Sequence, residues 1–239
     1  MSETPLPEPP APPQRRVRAG GRKPSFDRAA VVEAAIRILD AEGLDAVTIR
    51  RVAEELGTSG TALYTYVRDK DELVDLLLDR VLGETDLSSI SPTLPWQEQV
   101  REIGREMRRV LGAHRDVARA TLGRVPQGEN ALVFVNEMLG RMRAADVPEE
   151  VIALSVDLLA LYVGAVTYEE SLTGQFTEDP EFIQHFVDEL RTYFERLPRD
   201  RFPHLVAMAS ALTSSADRFE FGLDVIVRGL VARAADAAE

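Results

Sequence analysis

A chain of 239 residues with 45 % hydrophobic and 28 % charged residues can bury a sizeable core and has the balance of a soluble globular protein. It has no cysteine, which excludes a disulfide framework and thiolate metal sites and fits a reducing, cytoplasmic setting. A formal net charge of −12 excludes a non-specific nucleic-acid coat, but not a sequence-specific binder with a local positive face.

Residues 1–24 are rich in proline and polar groups and have no periodicity, which predicts a disordered arm. They lack the apolar stretch of a signal peptide. Arg15, Arg16, Arg18, Arg22 and Lys23 make the second half basic. Such an arm either touches DNA phosphates or a minor groove, or simply solubilises the chain. Residues 27–42 form an amphipathic helix with Val31, Ala34, Ala35, Ile38 and Leu39 on its core face, stopped by Gly43. Leu44 and Val47 complete that small core.

Ile49, Val52, Ala53 and Leu56 then recur at helical spacing. Thr48 stands where a side-chain oxygen caps a helix start, and Gly57 where a left-handed residue ends one. Ser59 can cap a second, short helix two residues later. Two helices joined by so tight a turn form a helix-turn-helix, whose second helix enters the DNA major groove with its N-terminal residues leading. The DNA-facing set is therefore Thr48, Arg50, Ser59, Gly60, Thr61, Tyr64, Tyr66 and Lys70. Tyr64 lies one turn into the reading helix, with a hydroxyl for phosphate and a ring for a thymine methyl. Gly60 and Thr61 lead the helix in, while Thr48, Arg50 and Lys70 take phosphates. Tyr66 either reaches a phosphate or packs, and Leu63 is core.

A fourth helix starts at Lys70, capped by Asp69, and is apolar on more than one side. It is the mechanical link between the DNA-binding part and whatever follows. Residues 83–95, with two prolines and several Ser and Thr, read as a linker. Helices follow over 96–111, 117–122, 130–145, 151–172, from 180 onward and over 217–235. Pro126-Gln-Gly128 and 174–179 form turns, Pro148 takes the first position of its helix, and Pro198 and Pro203 act as breakers. The run 151–166 is interrupted by Asp157 and is short of the ~20 apolar residues that a bilayer needs. There is no strand and no repeat. The predicted class is all-α: an arm (1–24), a three-helix DNA-binding domain (25–70), a connecting helix and linker (71–95), and a larger helical domain (96–239), to which the family resemblance given below assigns effector binding and dimerisation.

The helices 151–172 and 217–235 are apolar over more than one stripe, where a surface helix needs only one. Either they are fully buried core helices, or two copies of the chain pair through a four-helix interface. A two-fold dimer implies a palindromic DNA site with half-sites about 34–36 Å apart, or a multiple of that spacing. An enzyme is the poorer reading: His114, His185 and His204 are far apart, and no nucleophile motif or metal-ligand spacing is present. No catalytic residue, cofactor or metal is expected. A helical adaptor that binds proteins through the same apolar faces is a third reading.

The pattern Ala-Glu-Gly43, Thr48, Val52-Ala53, Leu56-Gly57, Ser59, Leu63-Tyr64, Tyr66 and Lys70 resembles the TetR family of bacterial transcriptional repressors. Trp96-Gln97, His114-Arg-Asp116, Leu122-Gly123, Pro126, Gly164 and Phe221-Gly222-Leu223 are similar to its tetracycline-repressor branch. The resemblance implies a ligand-responsive repressor, homodimeric, whose effector binding moves the fourth helix and separates the reading heads. It also places a pocket at Ile103, Met107, Leu111, Thr121, Phe134 and Met138. Thr121 stands where tetracycline repressors carry a magnesium-binding His, while Ile103 and Met107 stand at drug-contacting amide and aromatic positions. A threonine offers magnesium only a weak neutral oxygen, so neither tetracycline nor the metal carries over. The mainly apolar set suits a lipophilic small molecule.

Overall fold

The computed structural model describes residues 26–125, 127–176, 180–214 and 217–237. The arm 1–24, Pro126 of the predicted turn and residues 177–179 of the predicted loop 174–179 fall outside the described residues. Eleven α-helices and no strand are found among the described residues. The first four form the head: α1 (Arg28–Glu42), α2 (Ile49–Glu55), α3 (Gly60–Leu63) and α4 (Lys70–Leu82). The body has α5 (Trp96–Gly112), α6 (Val117–Thr121), α7 (Glu129–Arg143), α8 (Glu149–Phe176), α9 (Pro180–Glu195), α10 (Pro203–Leu212) and α11 (Arg218–Asp236).

Local signals account for the head. Asp27 caps α1 by accepting from the Ala30 amide at 2.8 Å, and Asp69 caps α4 by accepting from Glu72 at 2.8 Å. Val31, Ala34, Ala35, Ile38, Leu39, Leu44 and Val47 are all buried, as are Val52, Leu63 and Val67 from the following turns. α4 buries Leu73, Val74, Leu77, Leu78, Val81 and Leu82 because it has neighbours on several sides: α1 in the head, and α5, α6 and α7 in the body.

α8 is the axis of the body, packed by α5, α6, α7 and α11. Its stretch Glu149–Leu172 is long and apolar enough in composition to cross a bilayer, longer than the interrupted run suggests. Its apolar residues divide between two sides. One side is core, with Val151, Ile152, Leu159 and Val163 buried; Leu154, Leu158 and Leu161 form an exposed stripe on the other. α11 is clamped to α5 by Arg105, whose guanidinium donates to both Glu220 oxygens at 2.8 and 2.7 Å, and by Arg101 on Asp224 at 2.8 Å. Phe219 is fully buried, stacked on Tyr162 with centroids 5.8 Å apart and covered by Arg108 at 4.4 Å.

The structure differs from the expectations in several places. α8 runs on through Gly174 to Phe176, where the sequence suggested a loop, and the helix begins at Glu149, just after Pro148. α10 was not expected, because Pro198 and Pro203 read as breakers; Pro203 instead starts the helix at its first position, where a missing N–H costs nothing. The stretch 83–95 is no loose linker: it holds a 3₁₀ turn at Leu87–Ser89 and buries Leu87 and Ile90. Ser59 occupies the cap position of α3, but its side chain makes no capping hydrogen bond.

Candidate DNA interface and effector cavity

The turn between α2 and α3 is built by backbone bonds. The Thr58 amide donates to the Ala53 carbonyl at 2.9 Å and the Gly57 amide to the Glu54 carbonyl at 3.1 Å, the paired closure that ends a helix on a left-handed residue. Gly57, at φ 63°, is that residue, and an L side chain there would be strained by about 1–2 kcal/mol. At the other end of α2 the Thr48 hydroxyl oxygen accepts from the Arg51 amide at 3.1 Å. Its O–H proton is not used in that bond and can still be donated outward.

α3 is a single turn, held by the buried Leu63 and Val67. Its other side is bare. Tyr64 is 59 % exposed, Ser59 and Thr61 are exposed, and a side chain at Gly60 would meet no atom within 4 Å. Gly60 is thus not small to fit the core; it leaves room on the outside. In the chain without DNA, Tyr66 packs. It is half-buried, its hydroxyl donates to the Phe26 carbonyl at 2.9 Å, and its ring lies 5.4 Å from that of Phe26.

The cations of the head are unequal. Arg50, with a 90 % exposed side chain, pairs with Glu54 at 2.9 Å. Arg51 is shared between Glu42 and Glu55, Arg37 pairs with Glu55, and Arg28 and Arg68 both pair with Glu72. Burial works against the charge of Glu72, but the Arg68 amide and guanidinium and the Arg28 guanidinium outweigh it and hold its carboxyl below the ordinary value. Among the described residues of the head, Lys70 is the one base with no carboxylate partner.

Basic groups of the body meet acidic groups of the head and α4. Arg119 binds Asp45, Arg124 binds Asp71 and Asp75 at 2.8 and 2.6 Å, and Arg115 donates to the Ala41 carbonyl at 3.2 Å. His114 is held between Asp40 of α1 and Glu84 after α4, each at 3.0 Å. Burial opposes a charge on its ring, but the bonds to Glu84 and Asp40 prevail and raise its pKa above the ordinary histidine value. None of these pairings is visible as a pattern in the sequence, since the His114–Asp40 and Arg119–Asp45 partners stand 74 residues apart.

Of the six residues placed at an effector pocket, Ile103, Met107, Leu111, Phe134 and Met138 are buried and Thr121 is half-buried. Phe134 also lines an open cavity of ≈ 300 Å³ with Gly83, Thr85, Asp86, Asn130 and Val133 beside the end of α4, and the other five residues do not line it. The lining of that cavity, with Asp86 and Asn130, is more polar than the buried set. The Thr121 hydroxyl donates to the Ala118 carbonyl of its own helix at 2.7 Å, and no cluster of metal-ligating side chains occurs among the described residues. A residue missed from the sequence is Thr167 of α8, 2 % exposed, whose hydroxyl has no partner; a threonine inside an apolar helix gives no sequence signal of that kind.

The comparisons agree with this geometry. A family model described as tetR-family bacterial regulatory proteins matches residues 31–77, and one described as a tetracyclin repressor-like C-terminal domain matches residues 91–234. The chain is 31 % identical over 218 residues to the HTH-type transcriptional repressor DrrR1 of Streptomyces coeruleorubidus, covering 88 % of this chain and 79 % of that one. It is 28 % identical to the class E tetracycline repressor protein of Escherichia coli, covering 85 % and 90 %. Among solved structures, ActR of Streptomyces coelicolor in complex with actinorhodin superposes with a TM-score of 0.79 at 40 % identity, over 89 % of this chain and 99 % of that one.

Proposed function

Because the chain belongs to the tetR family of bacterial regulatory proteins, ligand-released repressors that bind operator DNA as homodimers and are not enzymes, we propose how its own residues divide that work. Thr48, Arg50, Ser59, Gly60, Thr61, Tyr64 and Lys70 form the DNA-contacting set. Tyr64 and Thr61 read base edges, and Thr48, Arg50 and Lys70 neutralise or bond phosphates. Tyr66 acts one step back, holding the start of α1 against α3. The observation that carries this assignment is the bare outer side of α3: exposed Tyr64 and Thr61 beside an open Gly60, on a turn whose inner side is fully buried.

The exposed stripe Leu154, Leu158 and Leu161 of α8, with Phe221 and Val225 of α11, forms the four-helix face between protomers. The effector is a mainly lipophilic small molecule that enters by the open cavity beside the end of α4 and rests on Ile103, Met107, Leu111, Phe134 and Met138. Thr121 and the unpartnered Thr167 hydroxyl give it few polar anchors, as suits an apolar pocket. The actinorhodin bound by ActR supports a small organic effector. Residues 25–70 and 96–239 act as separate DNA-binding and effector domains joined by α4, in a cytoplasmic protein. A fluorescence-anisotropy titration with the DNA upstream of the chain's own coding sequence, followed by addition of actinorhodin as a probe, tests the assignment. Tight, salt-sensitive binding with two-fold symmetric protection is expected; no binding to any fragment of that DNA by a dimeric protein would overturn it.

A further inference from the structure

α7 has no cap of its own. It starts after Gly128, whose position offers no side-chain bond, and the cap is supplied from another helix. Asp79, in the last turn of α4, accepts from the Ala131 amide at 2.9 Å through Oδ1. The Asn130 amide nitrogen donates to the Asp79 backbone carbonyl at 3.1 Å and to its Oδ2 at 3.2 Å. Two glycines make this approach possible. A Cβ on Gly128 would collide with the Asp79 side chain, and one on Gly83 would lie 2.9 Å from the Asn130 carboxamide. Asn130 is therefore pressed between α7 and the end of α4, and the same side chain lines the ≈ 300 Å³ cavity beside Phe134. The other end of α4 is the DNA side: it begins at Lys70, and Asp71 and Asp75 are gripped by Arg124. Asp79 is nine residues beyond Lys70, about 14 Å along a rigid helix, so the two ends move together.

We propose that Asp79 and Asn130 form a latch that fixes the angle of α4 against the effector cavity. Asp79 and Asn130 are positioning residues: closed, the pair holds α4 and Lys70 in the DNA-competent position. An effector with a hydrogen-bond acceptor, such as a carbonyl, engages the Asn130 amide, takes it from Asp79 and frees the end of α4. The carboxylate keeps only the Ala131 amide. This rests on the repressor reading above and adds to it the residue pair that links the cavity to the DNA-reading end.

The absence of cysteine allows one label per protomer. With Ala29→Cys, exposed at the start of α1, pulsed electron–electron resonance on the intact dimer reads the distance between heads. The latch predicts one narrow distance in the otherwise unaltered chain, and a broadened or displaced distribution for Asn130→Ala and for Asp79→Asn. Affinity for the upstream DNA should fall about tenfold in both, the scale of one or two lost hydrogen bonds. The double variant Asp79→Asn/Asn130→Asp restores the side-chain amide–carboxylate pair in reverse, though not the bond to the Asp79 carbonyl, and should recover both readouts in part. Single variants that melt at lower temperature but keep the parental head distance would reduce the pair to an ordinary packing contact and overturn the latch; so would a double variant that recovers neither readout. If Asp79→Asn does not fold, Asn130→Ala carries the test, because it leaves the Ala131 cap in place. Failure of the unaltered protein to bind the DNA would strike the repressor reading alone, since the head distance is measured without DNA.

Discussion

Lys70→Ala should change how binding responds to salt more than any other single change in the head. Lys70 is exposed and has no carboxylate within ion-pair distance among the described residues, so its charge is less neutralised than that of the head's arginines. Arg50 is equally exposed, but Glu54 at 2.9 Å already neutralises much of its charge. A dimer presents two copies, so the variant loses two phosphate contacts, and the slope of log affinity against log salt should become shallower by about 1.8. Between 50 and 200 mM salt the unaltered protein should then lose about tenfold more affinity than the variant does. Arg50→Gln should move the slope by less. The assay is anisotropy titration of labelled upstream DNA at four or five potassium chloride concentrations. An unchanged slope for Lys70→Ala, or a larger effect from Arg50→Gln, would refute the argument that pairing within the head decides which cation meets the DNA.

Three further outcomes follow from the geometry. Tyr64→Ala, at an exposed site, should weaken specific binding by ~1–3 kcal/mol without lowering the melting temperature; equal affinity in a gel-shift titration would remove Tyr64 from the reading set. The raised pKa of His114 means that the charged ring stabilises the closed head–body contact. That stabilisation is complete below the ordinary histidine value and is lost as pH rises through the folded-state value, so the melting temperature should drop as pH rises above the ordinary histidine value, and His114→Gln should flatten the drop. A parallel pH profile in the variant would show that other groups titrate. Phe219→Ala, which empties a fully buried site under Arg108 and Tyr162, should cost ~3–5 kcal/mol in urea unfolding; a loss below about 1 kcal/mol would mean that the α5–α8–α11 contact is less tightly packed than its geometry implies.

What could be read from the sequence was what is local. Thr48, Gly57 and Asp69 each act within four residues of themselves, and all three behave as their types require. The core faces of α1 and α4 follow from period alone. Signals that admit two meanings mislead: Pro203, which reads as a breaker, begins a helix, and Gly174 sits inside α8 without stopping it. The candidate site was half legible. The exposed side of α3 and the apolar character of the five buried pocket residues follow from residue type. The polar cavity lining at Asn130 and Asp86 joins distant parts of the chain, as do the ion pairs of Arg119 and Arg124 and the Asp79 cap, whose partners stand 49–74 positions apart, and no periodicity tells one end of such a pair about the other.

The bond from Tyr66 to the Phe26 carbonyl has a consequence for the basic residues that precede it. It nails the chain's entry point beside the reading turn, on the head itself. Between Phe26 and Lys70 the eight acids outnumber the six bases, so the head alone is a poor magnet for a polyanion. Arg15 lies eleven residues before Phe26, so five added cations are leashed within about 40 Å of that anchor however the leash is bent. That is little more than one turn of the double helix, so any contact those cations make with a duplex must fall close to the reading turn.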